Sequence, residues 1–136
     1  MPLIAWSDAL SVGIEEIDIE HKKLVTIANN LYDAINANAE KEALGKTLAE
    51  LIAYTRSHFA HEERLFAQTN YPESAAHKQE HEKLTNQVLD MQKKFANGAT
   101  TSLSLEVMDI LKNWLIYHIQ GSDMKFAPHL KSQGIH

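Results

Sequence analysis

Leu44-Gly45-Lys46-Thr47-Leu48-Ala49-Glu50-Leu51-Ile52-Ala53-Tyr54-Thr55-Arg56-Ser57-His58-Phe59-Ala60-His61-Glu62-Glu63-Arg64-Leu65 is the stretch from which the rest of the chain can be read. Leu44, Leu48, Leu51, Thr55, His58, Glu62 and Leu65 follow one another in steps of three or four residues. That is the period of one face of an α-helix, so a long amphipathic helix is predicted. The first half of the stripe is apolar and can face a core. The second half carries an imidazole and a carboxylate in the same phase, so those polar groups point where the leucines point.

Three further segments show the same period. Leu24, Ala28, Leu31 and Ile35 form one stripe; Leu84, Val88, Met91 and Phe95 form another; Leu103, Val107, Ile110 and Trp114 form the last. Breaks separate them at Asn36-Ala37-Asn38-Ala39, Thr69-Asn70-Tyr71-Pro72 and Asn97-Gly98-Ala99-Thr100-Thr101. Gly98 stands just past an amphipathic run, where helices end. No segment alternates with period two, so no strand is expected. Four helices with short connections predict an all-α, up-down-up-down antiparallel four-helix bundle. Residues 1–136 are read as a single domain, with an N-terminal arm over 1–17, the bundle over about 18–127 and a short tail past Pro128. There is no internal repeat and no low-complexity stretch.

Composition narrows the function. Hydrophobic residues make up 44% and charged residues 23%, ordinary globular values. The net charge of −5, with no basic run longer than Lys22-Lys23 or Lys93-Lys94, argues against nucleic acid as a partner. The chain has no cysteine, which excludes disulfides, thiolate metal sites and iron–sulfur clusters. The N-terminus lacks the basic and apolar regions of a signal peptide, and no apolar run reaches about 18 residues, so no membrane span and a cytoplasmic location are expected.

The chemically loaded residues extend the core stripes without a break in phase. His21 leads into Leu24 and Ala28; His58 and Glu62 follow Leu51 and Thr55; His77 and His81 lead into Leu84 and Val88; His118 follows Ile110 and Trp114. Depth agrees with phase. His21 lies about 18 residues before the first turn and His58 about 19 after it, which antiparallel helices bring to one level at about 1.5 Å per residue. Glu62 and His77 flank the second turn at about 8 and 7 residues, and His81 and His118 the third at about 18 and 19. A lone inward histidine is usually a satisfied core residue. Five at one level, with carboxylates among them, cannot all satisfy one another, since buried polar groups need partners. Metal cations supply those partners. His61 lies off the line beside Glu63 and Arg64 and is read as solvated; His129 and His136 are read as surface residues of the tail. Asp123 stands five residues after His118, about 140° away on a regular α-helix, so its part in the cluster requires a π-type turn or a loosened helix near Gly121.

Imidazole and carboxylate without thiolate suit iron, copper, zinc or manganese. The ferritin-like di-iron plan needs Glu-x-x-His motifs, and this chain has none. A zinc protease needs His-Glu-x-x-His, and His61-Glu62-Glu63-Arg64-Leu65 fails at its last position. The sequence His58-Phe59-Ala60-His61-Glu62-Glu63, with His77-Lys78-Gln79-Glu80-His81 and Trp114-Leu115-Ile116-Tyr117-His118-Ile119-Gln120-Gly121-Ser122-Asp123, resembles the hemerythrin family, and specifically its bacterial single-domain members. Trp6, the run Ser11-Val12-Gly13-Ile14 and Ile17-Asp18-Ile19-Glu20-His21 carry the likeness through the arm, so it covers nearly the whole chain.

The resemblance implies a centre of two iron ions joined by an oxo or hydroxo bridge, binding dioxygen reversibly. It implies that one iron takes His77, His81 and His118, that the other takes His21 and His58, and that Glu62 and Asp123 bridge the two. With six positions on each iron, these seven side chains and one bridging oxygen fill all but one, and that one lies on the iron with fewer histidines. Leu24, Ala28, Leu84, Ile110 and Trp114 could form a dry pocket around it while also packing the core. The function expected is oxygen transport, storage or delivery to an oxygen-consuming enzyme, by a monomer that is not itself an enzyme. The alternatives are a di-iron oxygen or redox sensor, and a di-iron peroxidase or nitric-oxide-handling enzyme, for which Tyr54 is the side chain to inspect.

Overall fold

A computed structural model describes residues 4–37, 41–96, 109 and 113–136. Helix α1 spans Glu15–Asn36, α2 Lys41–Thr69 and α3 Ser74–Ala96. In the last helix, α4, the described residues are π-helical over Asn113–Asp123 and continue directly as α-helical Met124–Ser132. Among the described residues there is no strand, and no helix is long and apolar enough to cross a membrane. The chain folds as a four-helix bundle, as the stripes predict. The third turn and the residues Leu103, Val107 and Ile110 of the fourth stripe lie outside the described residues, as does the Trp114 side chain.

Local chemistry sets the helix ends that matter for the site. The arm enters α1 through Gly13, whose φ of +78° is a left-handed conformation that glycine adopts without strain. Asp18, in the first turn, then fixes the junction: its carboxylate accepts the Val12 N–H at 2.8 Å and the Ser11 hydroxyl at 2.5 Å. Glu15, Glu16 and Asp18 also place negative charge at the positive end of the helix dipole. The arm is pinned a second time by Asn29, which accepts from the Ile4 N–H at 2.9 Å and donates to the Ile4 carbonyl at 2.8 Å. At the α2–α3 turn, Asn70 takes a φ of +52°, and Pro72 occupies the short link to Ser74.

Two refinements of the expected boundaries emerge. Helix α1 begins at Glu15, inside the stretch assigned to the arm. Helix α4 runs through Pro128 to Ser132, where a tail was expected. A proline removes one N–H bond but does not by itself end a helix. Here Phe126, Ala127 and Leu130 bury one face of that turn and hold it in place.

The core is layered along the bundle. At one level Leu24, Ala28, Leu31, Leu48, Leu51, Val88 and Met91 are buried. Each large aliphatic side chain removed from water contributes about 1.5–3 kcal/mol before entropy is counted. At the other end Phe66, Tyr71 and Phe126 form an aromatic cap, with Phe66 and Phe126 centroids 4.5 Å apart in an edge-on contact. Between these two dry layers lies a polar one, where α1 starts, α2 ends, α3 starts and the π section of α4 passes.

Candidate metal centre

The polar layer consists of His21 from α1, His58 and Glu62 from α2, His77 and His81 from α3, and His118 and Asp123 from α4. None is more than 5% exposed. The structure therefore brings all seven sequence-predicted site residues together. Rings from separate helices are in contact: His21 and His58 centroids are 4.8 Å apart, and His77 and His118 are 5.1 Å apart.

Asp123 arrives by the distortion its spacing demands. The π section spans both His118 and Asp123. Its wider turn, with i→i+5 bonding, returns residues five apart to one face, where a regular α-helix would separate them. An ideal Cβ on Gly121 would meet nothing within 4 Å, so the glycine there is not demanded by close packing.

The two carboxylates stand between the histidines. Asp123 Oδ2 lies 3.0 Å from His21 Nε2, while its Oδ1 lies 3.0 Å from His77 Nε2 and 3.3 Å from His118 Nε2. Glu62 Oε1 lies 3.3 Å from His58 Nε2 and 3.2 Å from His81 Nε2. These separations are short enough for hydrogen bonds, yet all five Nε2 atoms and all four carboxylate oxygens are buried without a hydrogen-bond partner. Their directions are wrong for bonding to one another, because the atoms converge on the space between them. Leaving so many buried polar atoms unpaired costs far more than a fold of this size can absorb, unless something else binds them.

Two sets of donors fit that role. His77, His81, His118, Glu62 and Asp123 form one; His21, His58, Glu62 and Asp123 form the other; within each set the donor atoms lie within 4.8 Å of one another. Transition metals hold N and O donors at about 2.0–2.2 Å, which puts donors around one ion at such separations. Each set could thus hold a metal ion, and the sets share both carboxylates.

The protonation preferences of the donors differ: some favour the form a metal binds, whereas others hold a proton that a metal would displace. Burial holds the His81 imidazole neutral, its pKa pulled down to about 2. Burial also lowers His58, against the pull of Glu20. Burial works the same way on His118, but the charges of Asp123 and Glu80 outweigh it and leave its pKa raised. Burial and the nearby Asp123 push Glu62 well above the usual carboxylate range. Burial would raise Asp123 too, but His118, His21 and His77 hold it well below its usual value. Two buried carboxylates this close cannot both ionise cheaply without a cation.

Periodicity did not reveal the groups that hold the histidines from behind. Glu80 accepts from His118 Nδ1 at 2.6 Å and from the Ser122 hydroxyl at 2.5 Å. Glu20 lies 2.9 Å from His58 Nδ1, and Glu63 3.4 Å from His81 Nδ1. A carboxylate behind a metal-binding histidine fixes its tautomer and ring angle. Burial alone would raise the Glu20 pKa, but His58 and His61 hold it low. Each of these acids adjoins one of the clustered donors in sequence, as in Glu20-His21, Glu62-Glu63 and Glu80-His81, which is the signal that could have found them.

His61 departs from expectation. It is half-buried, and its Nδ1 lies 2.7 Å from the same Glu20 oxygen that faces His58. His129 also departs: its Nε2 sits 2.8 Å from the Thr69 carbonyl and ties α4 to the end of α2. His136 is exposed as expected. Tyr54 packs half-buried against the core, its phenol pKa raised by burial and by Glu20. Of the expected dry wall, Leu24, Ala28 and Leu84 are buried. Phe59 adds to it, stacked 3.8 Å from His81 at 6°. A groove of about 760 Å³ between α2 and α3, bordered by Arg56, Arg64 and Lys78, reaches His81 from outside.

Residues 12–130 match the family described as Hemerythrin HHE cation binding domain. The chain belongs to the hemerythrin family. Hemerythrin relatives include the bacteriohemerythrin of Stenotrophomonas maltophilia (strain R551-3), 36% identical over 132 residues, or 97% of this chain and 84% of that one. The bacteriohemerythrin of Methylococcus capsulatus (strain ATCC 33009 / NCIMB 11132 / Bath) is 32% identical over 133 residues, covering 97% of this chain and all of the relative. A crystal structure of wild-type hemerythrin superposes with a TM-score of 0.84 at 32% identity, over 94% of this chain and 98% of the other.

Proposed function

We propose that this hemerythrin-family chain binds dioxygen reversibly at a pair of iron ions, for oxygen transport, storage or delivery to oxygen-consuming enzymes. The observation that carries the reading is that two buried donor sets share both Glu62 and Asp123. Carboxylates shared in this way would let two ions be held as a pair. His77, His81 and His118 would hold one iron, His21 and His58 the other. Two ferrous ions, if held there, would supply a reversible two-electron exchange with dioxygen.

The chain's own residues do the rest. The three-to-two division of histidines leaves room on the His21/His58 side, where a small ligand can enter. Neutral imidazoles outnumber carboxylates, so the site carries little negative charge, which favours releasing oxygen intact over cleaving it. Glu20 and Glu80 orient His58 and His118 from behind. Leu24, Ala28, Leu84 and Phe59 on one side and Phe66 and Phe126 on the other keep water from the donors. A dry surround strengthens electrostatic binding and slows escape of charged oxygen species.

The test is an oxygen titration of anaerobically iron-loaded, reduced protein, followed in the visible spectrum. Colour should develop on adding oxygen and disappear on gentle gas exchange without reductant. Recovery that always requires reductant, or many turnovers of a co-substrate per site, would replace the carrier with an enzyme.

A further inference from the structure

Thr55 Oγ1 stands apart from every other threonine hydroxyl on the first three helices. Thr26 donates to the Lys22 carbonyl at 3.0 Å, Thr47 to Ala43 at 3.1 Å, Thr69 to Leu65 at 2.7 Å and Thr85 to His81 at 2.8 Å. This back-bonding to the carbonyl four residues earlier is the ordinary way a helical threonine satisfies its hydroxyl. Thr55 makes no such bond, although it is 1% exposed. Among the described residues, it is the one residue outside the seven clustered donors with a buried, unpartnered side-chain oxygen or nitrogen. A hydroxyl left so is costly, and the cheap local remedy is not taken.

Its position says what the hydroxyl faces. Thr55 lies on the stripe Leu51, Thr55, His58, Glu62, one turn deeper than His58. Leu51 is buried beside it, and Leu24 and Ala28 continue the opposing α1 stripe one and two turns below His21. Thr55 thus places one polar group in an apolar wall under the His21/His58 donor set. That set has fewer histidines and, on the two-ion reading, is the one left with a position for an incoming ligand.

We propose that the Thr55 hydroxyl donates a hydrogen bond to the small ligand that enters the His21/His58 half of the site, and so sets affinity there for ligands with acceptor lone pairs, such as dioxygen or azide. The proposal rests on the two-ion reading given above. The ligand supplies the partner that the helix carbonyl does not.

Thr55→Val keeps the side chain's shape and removes the hydroxyl; Thr55→Ser keeps the hydroxyl. Both are loaded with iron, and binding is normalised to measured iron content. Azide affinity of the oxidised protein and dioxygen half-saturation of the reduced protein should weaken about tenfold in Thr55→Val and stay within about twofold in Thr55→Ser. The infrared stretch of bound azide should shift in Thr55→Val and not in Thr55→Ser. The metal-free Thr55→Val protein should melt no lower than wild type, since an unpaired hydroxyl has been removed. Unchanged affinities and an unchanged stretch in Thr55→Val overturn the role of Thr55 alone. A lower melting point of metal-free Thr55→Val also overturns it, by showing that the hydroxyl is paired within the fold. A wild-type protein that loads iron yet binds neither dioxygen nor azide overturns the oxygen-binding function, and this proposal with it.

Discussion

Glu80→Ala should weaken metal binding far more than Glu63→Ala, although the two acids look equivalent in sequence. Each follows or precedes a clustered donor, and their side chains are 37% and 36% exposed. Exposure is thus matched, and contact geometry is what differs. Glu80 lies 2.6 Å from His118 Nδ1 and also holds the Ser122 hydroxyl, next to Asp123, at 2.5 Å. A charge-assisted hydrogen bond contributes about 1.5–3 kcal/mol, and partial exposure selects the low end; the Ser122 bond adds about 0.5 kcal/mol. The sum, about 2 kcal/mol, corresponds to about 30-fold in affinity. That lies within the roughly 10–100-fold effect of removing such an outer group. Glu63 reaches His81 Nδ1 at only 3.4 Å, a weak contact of about 0.5 kcal/mol or less, or about twofold. Competition with a chelator of known affinity, performed anaerobically with ferrous iron, measures both. Circular dichroism of the metal-free variants checks that the helices persist. A loss in Glu63→Ala equal to or greater than that in Glu80→Ala would show that these contacts do not set the affinity, as would Glu80→Ala within twofold of wild type.

Three further outcomes are expected. His77→Ala should lose metal and stability together, beyond the roughly 0.5 kcal/mol of a surface change, because it leaves the remaining donors buried with fewer partners; His61→Ala should keep its metal, and the reverse pattern by elemental analysis and thermal melting would overturn the donor assignment. Metal loading should release protons, because raised pKa values at His118 and Glu62 leave protons there in the metal-free protein, so affinity should rise with pH; loading a weakly buffered sample without acidification would contradict this. Phe66→Ala should cost about 3–5 kcal/mol in denaturant unfolding, since Phe66 is 1% exposed and packs on Phe126, Tyr71 and His77; a cost under about 1 kcal/mol would show that the aromatic cap does not support the site.

What could be read from the sequence was whatever repeats along one helix. The α2 stripe carries Leu48, Leu51, Thr55, His58, Glu62 and Leu65 inward in the structure as its period requires. Asp123 was not legible from periodicity: its five-residue step conflicts with α geometry, only the family resemblance pointed to it, and the π section resolves the conflict. What could not be read depends on which residues meet across helices. His61 and Glu20 are 41 residues apart, and their contact exists only because α1 and α2 pack in one register. His129 finds the Thr69 carbonyl 60 residues away for the same reason. Pro128 misled because its missing N–H is a local property, whereas the burial of Phe126, Ala127 and Leu130 that carries the helix past it is a tertiary one.

If two metal ions share the one buried cluster, a titration of the metal-free protein with ferrous iron under anaerobic conditions will show it in the stoichiometry of uptake. Because Glu62 and Asp123 belong to both donor sets, filling one set fixes the carboxylates for the other, so uptake should be tight and complete at two irons per chain. Adding oxygen at that point should consume one dioxygen per chain. Uptake that ends at one iron per chain would contradict the shared pair, because a lone ion leaves the other set's histidines buried without partners.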